Sequence, residues 1–247
     1  MSTAFREQLE KQGTWLFRWR SYLPLLVFPG LLATAQKAGG ASGSFAGDPW
    51  KVSCMAVSFL GFFLRCIVAG YAPEGTSGRD TRRQRADTLN TSGMYSLMRH
   101  PLYFGNFLIL LGMALFVRVW WAVVISVLIF WLYYERIIFA EEEYLRRKFG
   151  NQFMRWAAET PCFFPRRLRW RKPALPFSFR TVLRREYSGF FAIVASYTFL
   201  ETAEGLVVEG KAVLDWRVTV FFATGLAVYL VLRTLKKKTR VLHVQGR

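Results

Sequence analysis

The sequence predicts an all-α, polytopic helical membrane protein of about six spans. Both termini fall in the cytoplasm, and an amphipathic helix runs along the cytoplasmic interface. Three observations predict this. Hydrophobic residues make up 53% of the 247 residues and aromatics 17%, too apolar for a soluble domain of this size. The apolar residues are bunched into runs. The formal net charge is +18, and the cations lie between those runs. With the N-terminus inside and the spans alternating, 28 of the 34 Lys and Arg face the cytoplasm, which is the positive-inside pattern.

The apolar runs lie at 15–36, 50–72, 101–117, 119–140, 187–208 and 216–235. A spanning helix needs about 20 apolar residues, and 50–72 meets this most clearly. The first twenty residues carry Arg6, Glu7, Glu10, Lys11, Arg18 and Arg20, so no cleavable signal peptide is expected. Pro24 and Pro29 predict a kink in the first span. The glycine-rich stretch 37–49 has no strand before it and no Lys-Ser/Thr after it, so it reads as an external connector and not a phosphate cradle. Runs three and four are separated only by the neighbourhood of Arg118, which predicts a tight hairpin over 116–121. The fifth span has a purely apolar stretch only over 187–200. Near its outer end Glu201, Glu204 and Glu209 lie close to Lys211, Asp215 and Arg217, and external ion pairing among these acids and cations is expected.

Other classes are excluded on composition and spacing. Cys54, Cys66 and Cys162 show no paired or metal-type spacing, so neither a disulfide framework nor a metal site is expected. No GxGxxG occurs, which removes a Rossmann-type nucleotide domain. The basic stretch RRLRWRKP, 166–173, mixes cations with Leu168 and Trp170. Beside membrane spans it reads as an anchor on anionic headgroups, not as a nucleic-acid surface. The chain divides into N-terminal membrane helices (1–84), a core carrying the chemistry (85–170), and a basic segment with the last spans (171–247).

Two clusters could carry chemistry. In RHPLYFGN, 99–106, Pro101 favours the first position of a helix and keeps His100 out of helical conformation. Arg99 and His100 therefore sit at an electropositive helix mouth that accepts an anion; contact with lipid phosphates is the simpler alternative. The second cluster is EEEYLRRKFGNQFMRWAAE, 141–159. A helix ending at Glu141–Glu143 would set carboxylates at its negative end, so either the helix continues or a cation compensates. Pairing of Glu142 with Arg146 and Glu143 with Arg147 would account for two of the acids, leaving Glu135 and Glu141 unassigned. Leu145, Phe149, Phe153 and Trp156 recur on one helical face, which predicts the amphipathic helix, ended by Thr160-Pro161. Arg65, inside the second span, is either an anion contact or a side chain reaching the interface.

Together LNTSGMYSLMRHPLYFGNFL (89–108) and EEEYLRRKFGNQFMRWAAETPCFFP (141–165) resemble the integral-membrane methyltransferases. That superfamily includes isoprenylcysteine carboxyl methyltransferases, phospholipid N-methyltransferases and lipid A phosphate methyltransferases. The resemblance spans roughly 85–165 and implies S-adenosylmethionine as methyl donor, held at the cytoplasmic surface. Carried over by position, it assigns Tyr95, His100, Leu102, Tyr103, Glu141 and Glu142 to the cofactor. Arg99, Glu135 and Arg136 become candidates for catalysis, and Arg65 and Asn106 for the acceptor. Glu143, a third acid, departs from the family's pair.

The expected acceptor is a lipid or lipid-like headgroup, either a phospholipid amine or a lipid A-type phosphate, with a carboxyl O-methyltransferase for isoprenylcysteine as the alternative. A sterol-type NADPH reductase and a non-catalytic lipid-binding protein are the other classes. The expected location is the bacterial inner membrane, with the site facing the cytoplasm.

Overall fold

The computed structural model describes residues 3–19, 47–73, 86–165, 169–209 and 215–246, with Gly30. The expected kink at Pro24 and Pro29, most of the 37–49 loop, the cations at 79–85, residues 166–168 and Lys211 lie outside them. The regular elements among the described residues are all helices, joined by loops: α1 Thr3–Trp19, α2 Pro49–Tyr71, α3 Pro101–Phe116, α4 Trp120–Phe149, α5 Asn151–Glu159, α6 Phe179–Glu209 and α7 Trp216–Lys238, with a short 3₁₀ turn at Gly93–Ser96. Three of them, α2, α4 and α7, are long and apolar enough to cross a membrane. The expected spans at 50–72, 119–140 and 216–235 coincide with these. The run at 101–117 forms the 16-residue α3, and the run at 187–208 lies inside the 31-residue α6.

The helix ends follow local chemistry. Asp48 caps α2 by accepting from the Trp50 N–H at 3.0 Å, with Pro49 at the first position. Arg118 makes the α3–α4 turn with φ 59° and donates to both oxygens of Asp48, at 2.7 and 2.6 Å. The same carboxylate thus starts α2 and fixes the hairpin expected over 116–121.

Helices α2 and α3 form the tightest pair because glycines let their backbones meet. A Cβ on Gly61 would strike the Gly105 carbonyl oxygen, and one on Gly112 would strike Ser58 Oγ and the Cys54 carbonyl oxygen. Such small-residue contacts draw membrane helices together where lipid is as apolar as leucine. Ser58 Oγ bonds the Ile109 carbonyl oxygen and the Tyr197 hydroxyl, both at 2.8 Å, which ties α6 to the pair. The buried core runs through Tyr103, Leu110, Phe116, Phe130, Tyr134, Ile193 and Tyr197.

Two expectations about ion pairs change. Lys51, buried at the start of α2, pairs with Glu201 at 2.9 Å and Glu204 at 3.0 Å. Those acids therefore answer a cation on another helix and not Arg217 nearby. At the polar end of α4, α1 takes part: Arg6 pairs with Glu143 at 3.0 Å, and Arg147 pairs with Glu10. Glu143 also meets Arg146 at 2.7 Å. Neither expected i,i+4 pair, Glu142–Arg146 or Glu143–Arg147, forms. Glu143 takes Arg146 at i,i+3 together with Arg6 of α1, while Arg147 turns to Glu10 of α1.

Helix α4 continues through the three glutamates to Phe149, ending in Arg146, Arg147 and Lys148, where cations suit the negative pole. The amphipathic stretch is then broken at Gly150, whose φ of 50° is a conformation glycine adopts without penalty. Phe153 and Trp156 on α5 are buried and pack inward. The Trp156 indole donates to the Tyr95 carbonyl oxygen at 3.1 Å.

Candidate active site

Three segments meet around the glutamates. Pro101 starts α3, with His100 as its N-cap residue. The chain before it is laced to the segment after α5 by the main chain: Arg99 N–H to the Pro161 carbonyl oxygen at 2.9 Å and His100 N–H to that of Cys162 at 3.2 Å. Helix α4 brings Glu141 and Glu142 against this ladder.

The paired glutamates play different parts. Glu142 Oε1 bonds His100 Nε2 at 2.9 Å and accepts from Arg99 Nε at 2.8 Å. Arg99 also donates through Nη1 to the carbonyl oxygens of Ala157 at 2.8 Å and Thr160 at 2.9 Å. Its guanidinium therefore closes the end of α5 while gripping α4. Glu141 accepts from the Tyr103 hydroxyl at 2.8 Å and lies 3.8 Å from His100 Nδ1. Its side chain keeps 32% exposure, so its remaining lone pairs can take donors from outside the protein. The His100 and Tyr103 rings are stacked, with centroids 5.6 Å apart.

The remaining assigned residues fall into three places. Tyr95, in the 3₁₀ turn, is half-buried; burial, and next the Glu141 carboxylate, push its phenol well above the usual range. Leu102 packs with Val68, Met94 and Met98 beside it. Arg65 and Asn106 meet each other below the site: Arg65 Nη1 donates to Asn106 Oδ1 at 2.6 Å, and Asn106 Nδ2 to the Tyr134 hydroxyl at 3.1 Å. Tyr134 in turn packs on Tyr103 at 4.9 Å. Glu135 and Arg136 are not brought to this cluster. Glu135 is exposed on α4, and Arg136 turns to α1, donating to Gln12 Oε1 at 3.1 Å.

Sequence reasoning missed Glu186. It is buried and accepts from Arg65 Nε at 3.0 Å and Nη2 at 3.1 Å, so α6 reaches the inner end of the polar chain. Its signal was a single acid in RTVLRREYSGF. Tyr134 was hidden inside an apolar run.

Comparison with known proteins places this geometry. Residues 51–152 match the family model described as phospholipid methyltransferase. Over that segment the chain is similar to the integral-membrane methyltransferases. The match begins well before the 85–165 stretch that carries the sequence resemblance and takes in α2, which packs against α3.

Similar proteins include the cobalt-zinc-cadmium resistance protein CzcN of Cupriavidus metallidurans, 39% identical over 112 residues, 45% of this chain and 49% of that one. The nickel-cobalt-cadmium resistance protein NccN of Alcaligenes xylosoxydans xylosoxydans is 32% identical over 120 residues, 48% of this chain and 54% of that one. A protein-S-isoprenylcysteine O-methyltransferase of Schizosaccharomyces pombe is 26% identical over 123 residues, 49% and 52% of the two chains. The chain thus spans about half the length of these relatives. No solved structure matches.

Proposed function

We propose that this integral-membrane protein is an S-adenosylmethionine-dependent methyltransferase acting on the headgroup of a lipid or lipid-like substrate, a phospholipid amine or a lipid A-type phosphate. In this reading the chain has about six spans, and the site faces the cytoplasm of a bacterial inner membrane. The observation that carries the reading is the convergence of the two motifs: His100 and Tyr103 each bond one of the two adjacent glutamates, at 2.9 and 2.8 Å.

The donor set suits the cofactor. S-adenosylmethionine supplies a methyl group on a sulfonium, and it also carries an ammonium, a carboxylate and ribose hydroxyls. Glu141 would accept hydrogen bonds from the ammonium or the hydroxyls. The stacked faces of His100 and Tyr103 would shelter positive charge. Glu142 holds His100 and Arg99 in place and so orients the ring without touching the donor. Methyl transfer needs alignment and exclusion of water more than acid–base chemistry. A phosphate or carboxylate acceptor requires no general base, whereas an amine must first lose its proton. Arg65, fixed by Glu186 and Asn106, would face the acceptor's negative charge.

A second reading, carboxyl O-methylation of an isoprenylcysteine-like substrate, is favoured by the similarity to the Schizosaccharomyces pombe protein-S-isoprenylcysteine O-methyltransferase. Purified protein given methyl-labelled S-adenosylmethionine separates the two. Label in a lipid extract supports the first and label in a prenylcysteine analogue the second. Label in neither, with NADPH stabilising the protein where S-adenosylmethionine does not, would overturn both.

A further inference from the structure

Cys162 takes no part in the donor site, yet its thiol is aimed at it. Sγ lies 3.9 Å from Glu142 Oε1, the oxygen that sits 2.9 Å from His100 Nε2. One ligand atom from each of these three residues falls within 4.8 Å of the other two. Around a tetrahedral zinc-type ion, with bonds of about 2.0–2.3 Å, neighbouring ligand atoms stand roughly 3.3–3.7 Å apart. The observed separations straddle that range, so a small side-chain adjustment would close them on an ion.

Thiolate, imidazole and carboxylate form a donor set for borderline and soft divalent ions, not for magnesium or calcium. The cluster is also pre-organised. The main-chain ladder from Arg99 and His100 to Pro161 and Cys162 fixes two of the ligands side by side. Arg99 holds the Glu142 carboxylate from α4 through Nε, 2.8 Å from Oε1, and Nη2, 3.4 Å from Oε2. An outer hydrogen bond of that kind orients a ligating carboxylate. His100 is buried, and Glu142 and Cys162 are half-buried. Sequence spacing gave no hint of such a site because its members come from three distant segments.

We propose that His100, Glu142 and Cys162 bind a soft divalent cation of the zinc and cadmium class, and that its occupation excludes the methyl donor. The second half rests on the functional reading above; the first does not. Binding forms bonds from the ion to Sγ, Nε2 and Oε1, releases the thiol proton to water and transfers the imidazole proton from Nε2 to Nδ1, on the Glu141 side of the ring, with no change of oxidation state. The thiolate and carboxylate together balance the ion's charge. The His100 ring, which Glu142 orients, is then withdrawn from the donor site.

Cadmium chloride alone, titrated into the chelator-stripped full-length protein in detergent, tests the site through the ultraviolet thiolate-to-cadmium absorption. The expected result is a saturable band that Cys162→Ser abolishes, that His100→Ala weakens by about tenfold or more in affinity, and that the Cys54→Ser/Cys66→Ser double variant retains. Cadmium should also lower S-adenosylmethionine affinity in the wild type and leave it unchanged in Cys162→Ser. No band, or a band that survives Cys162→Ser, overturns the site. Unchanged donor affinity on the cadmium-loaded protein overturns the exclusion. A cadmium band in a protein that never binds S-adenosylmethionine would uphold the site and sink the functional reading instead.

Discussion

His100 and Glu142 lie 42 residues apart in the chain and 2.9 Å apart in space. Glu142 is also the carboxylate that Arg99 grips, so a single side chain holds the mouth of α3, the end of α5 and the body of α4 together. Glu142→Gln keeps the shape and removes the charge. Loss of charge-assisted bonds of this kind costs about 1.5–3 kcal/mol. The expected outcome is a lower thermal midpoint in detergent together with weakened donor binding. A variant as stable as the wild type would show that the junction does not depend on this carboxylate.

The close approach of α2 and α3 has its own test. Gly112→Ala puts a methyl group against Ser58 Oγ and the Cys54 carbonyl oxygen, and backbone cannot step aside as a side-chain tip can. Overpacking of this kind costs about 1–3 kcal/mol. Thermal unfolding should record the loss, while the same change at exposed Gly150 should act through its positive φ and not through crowding.

Arg65 and Glu186 form a buried pair, with side-chain exposures of 20% and 6%. Removing one partner strands the other, at a cost of about 3–5 kcal/mol. Arg65→Met combined with Glu186→Leu should therefore cost clearly less than the sum of the single changes, in a double-mutant cycle read by thermal unfolding. Strict additivity would mean that the two side chains do not act as a unit.

The membrane character, the α3–α4 hairpin, the Pro101 helix start and the meeting of the two motifs were legible in the sequence. Each rests on local signals: apolar run length, proline chemistry and a recognisable residue pattern. The ion-pair partners were not legible. Glu143 chose Arg6, and Lys51 chose Glu201 and Glu204, because pairing is decided by which helices pack together. Glu186 was missed for the same reason. The break at Gly150 was written in the sequence, but a regular apolar spacing from Leu145 to Trp156 reads straight across it.

Cys162 offers a prediction in pH. Burial, and next to it the Glu142 carboxylate, push its thiol above the ordinary range. Since the thiolate is the reactive form, alkylation of Cys162 in a Cys54→Ser/Cys66→Ser background should be slow at neutral pH. It should rise only at a more alkaline pH than for a free thiol. Glu142→Gln, by removing a negative neighbour, should move that rise toward neutrality. A profile shifted the other way would contradict the assignment.

The most direct test of the central claim is calorimetric titration of S-adenosylmethionine into the purified protein, its Glu141→Gln variant and its Glu159→Gln variant. Glu159 is an exposed acid at the end of α5, paired with Arg171. The account expects wild type and Glu159→Gln to bind alike and Glu141→Gln to bind at least about tenfold more weakly, as loss of one charge-assisted hydrogen bond implies. Equal affinity in all three proteins, or no binding to the wild type, would contradict it.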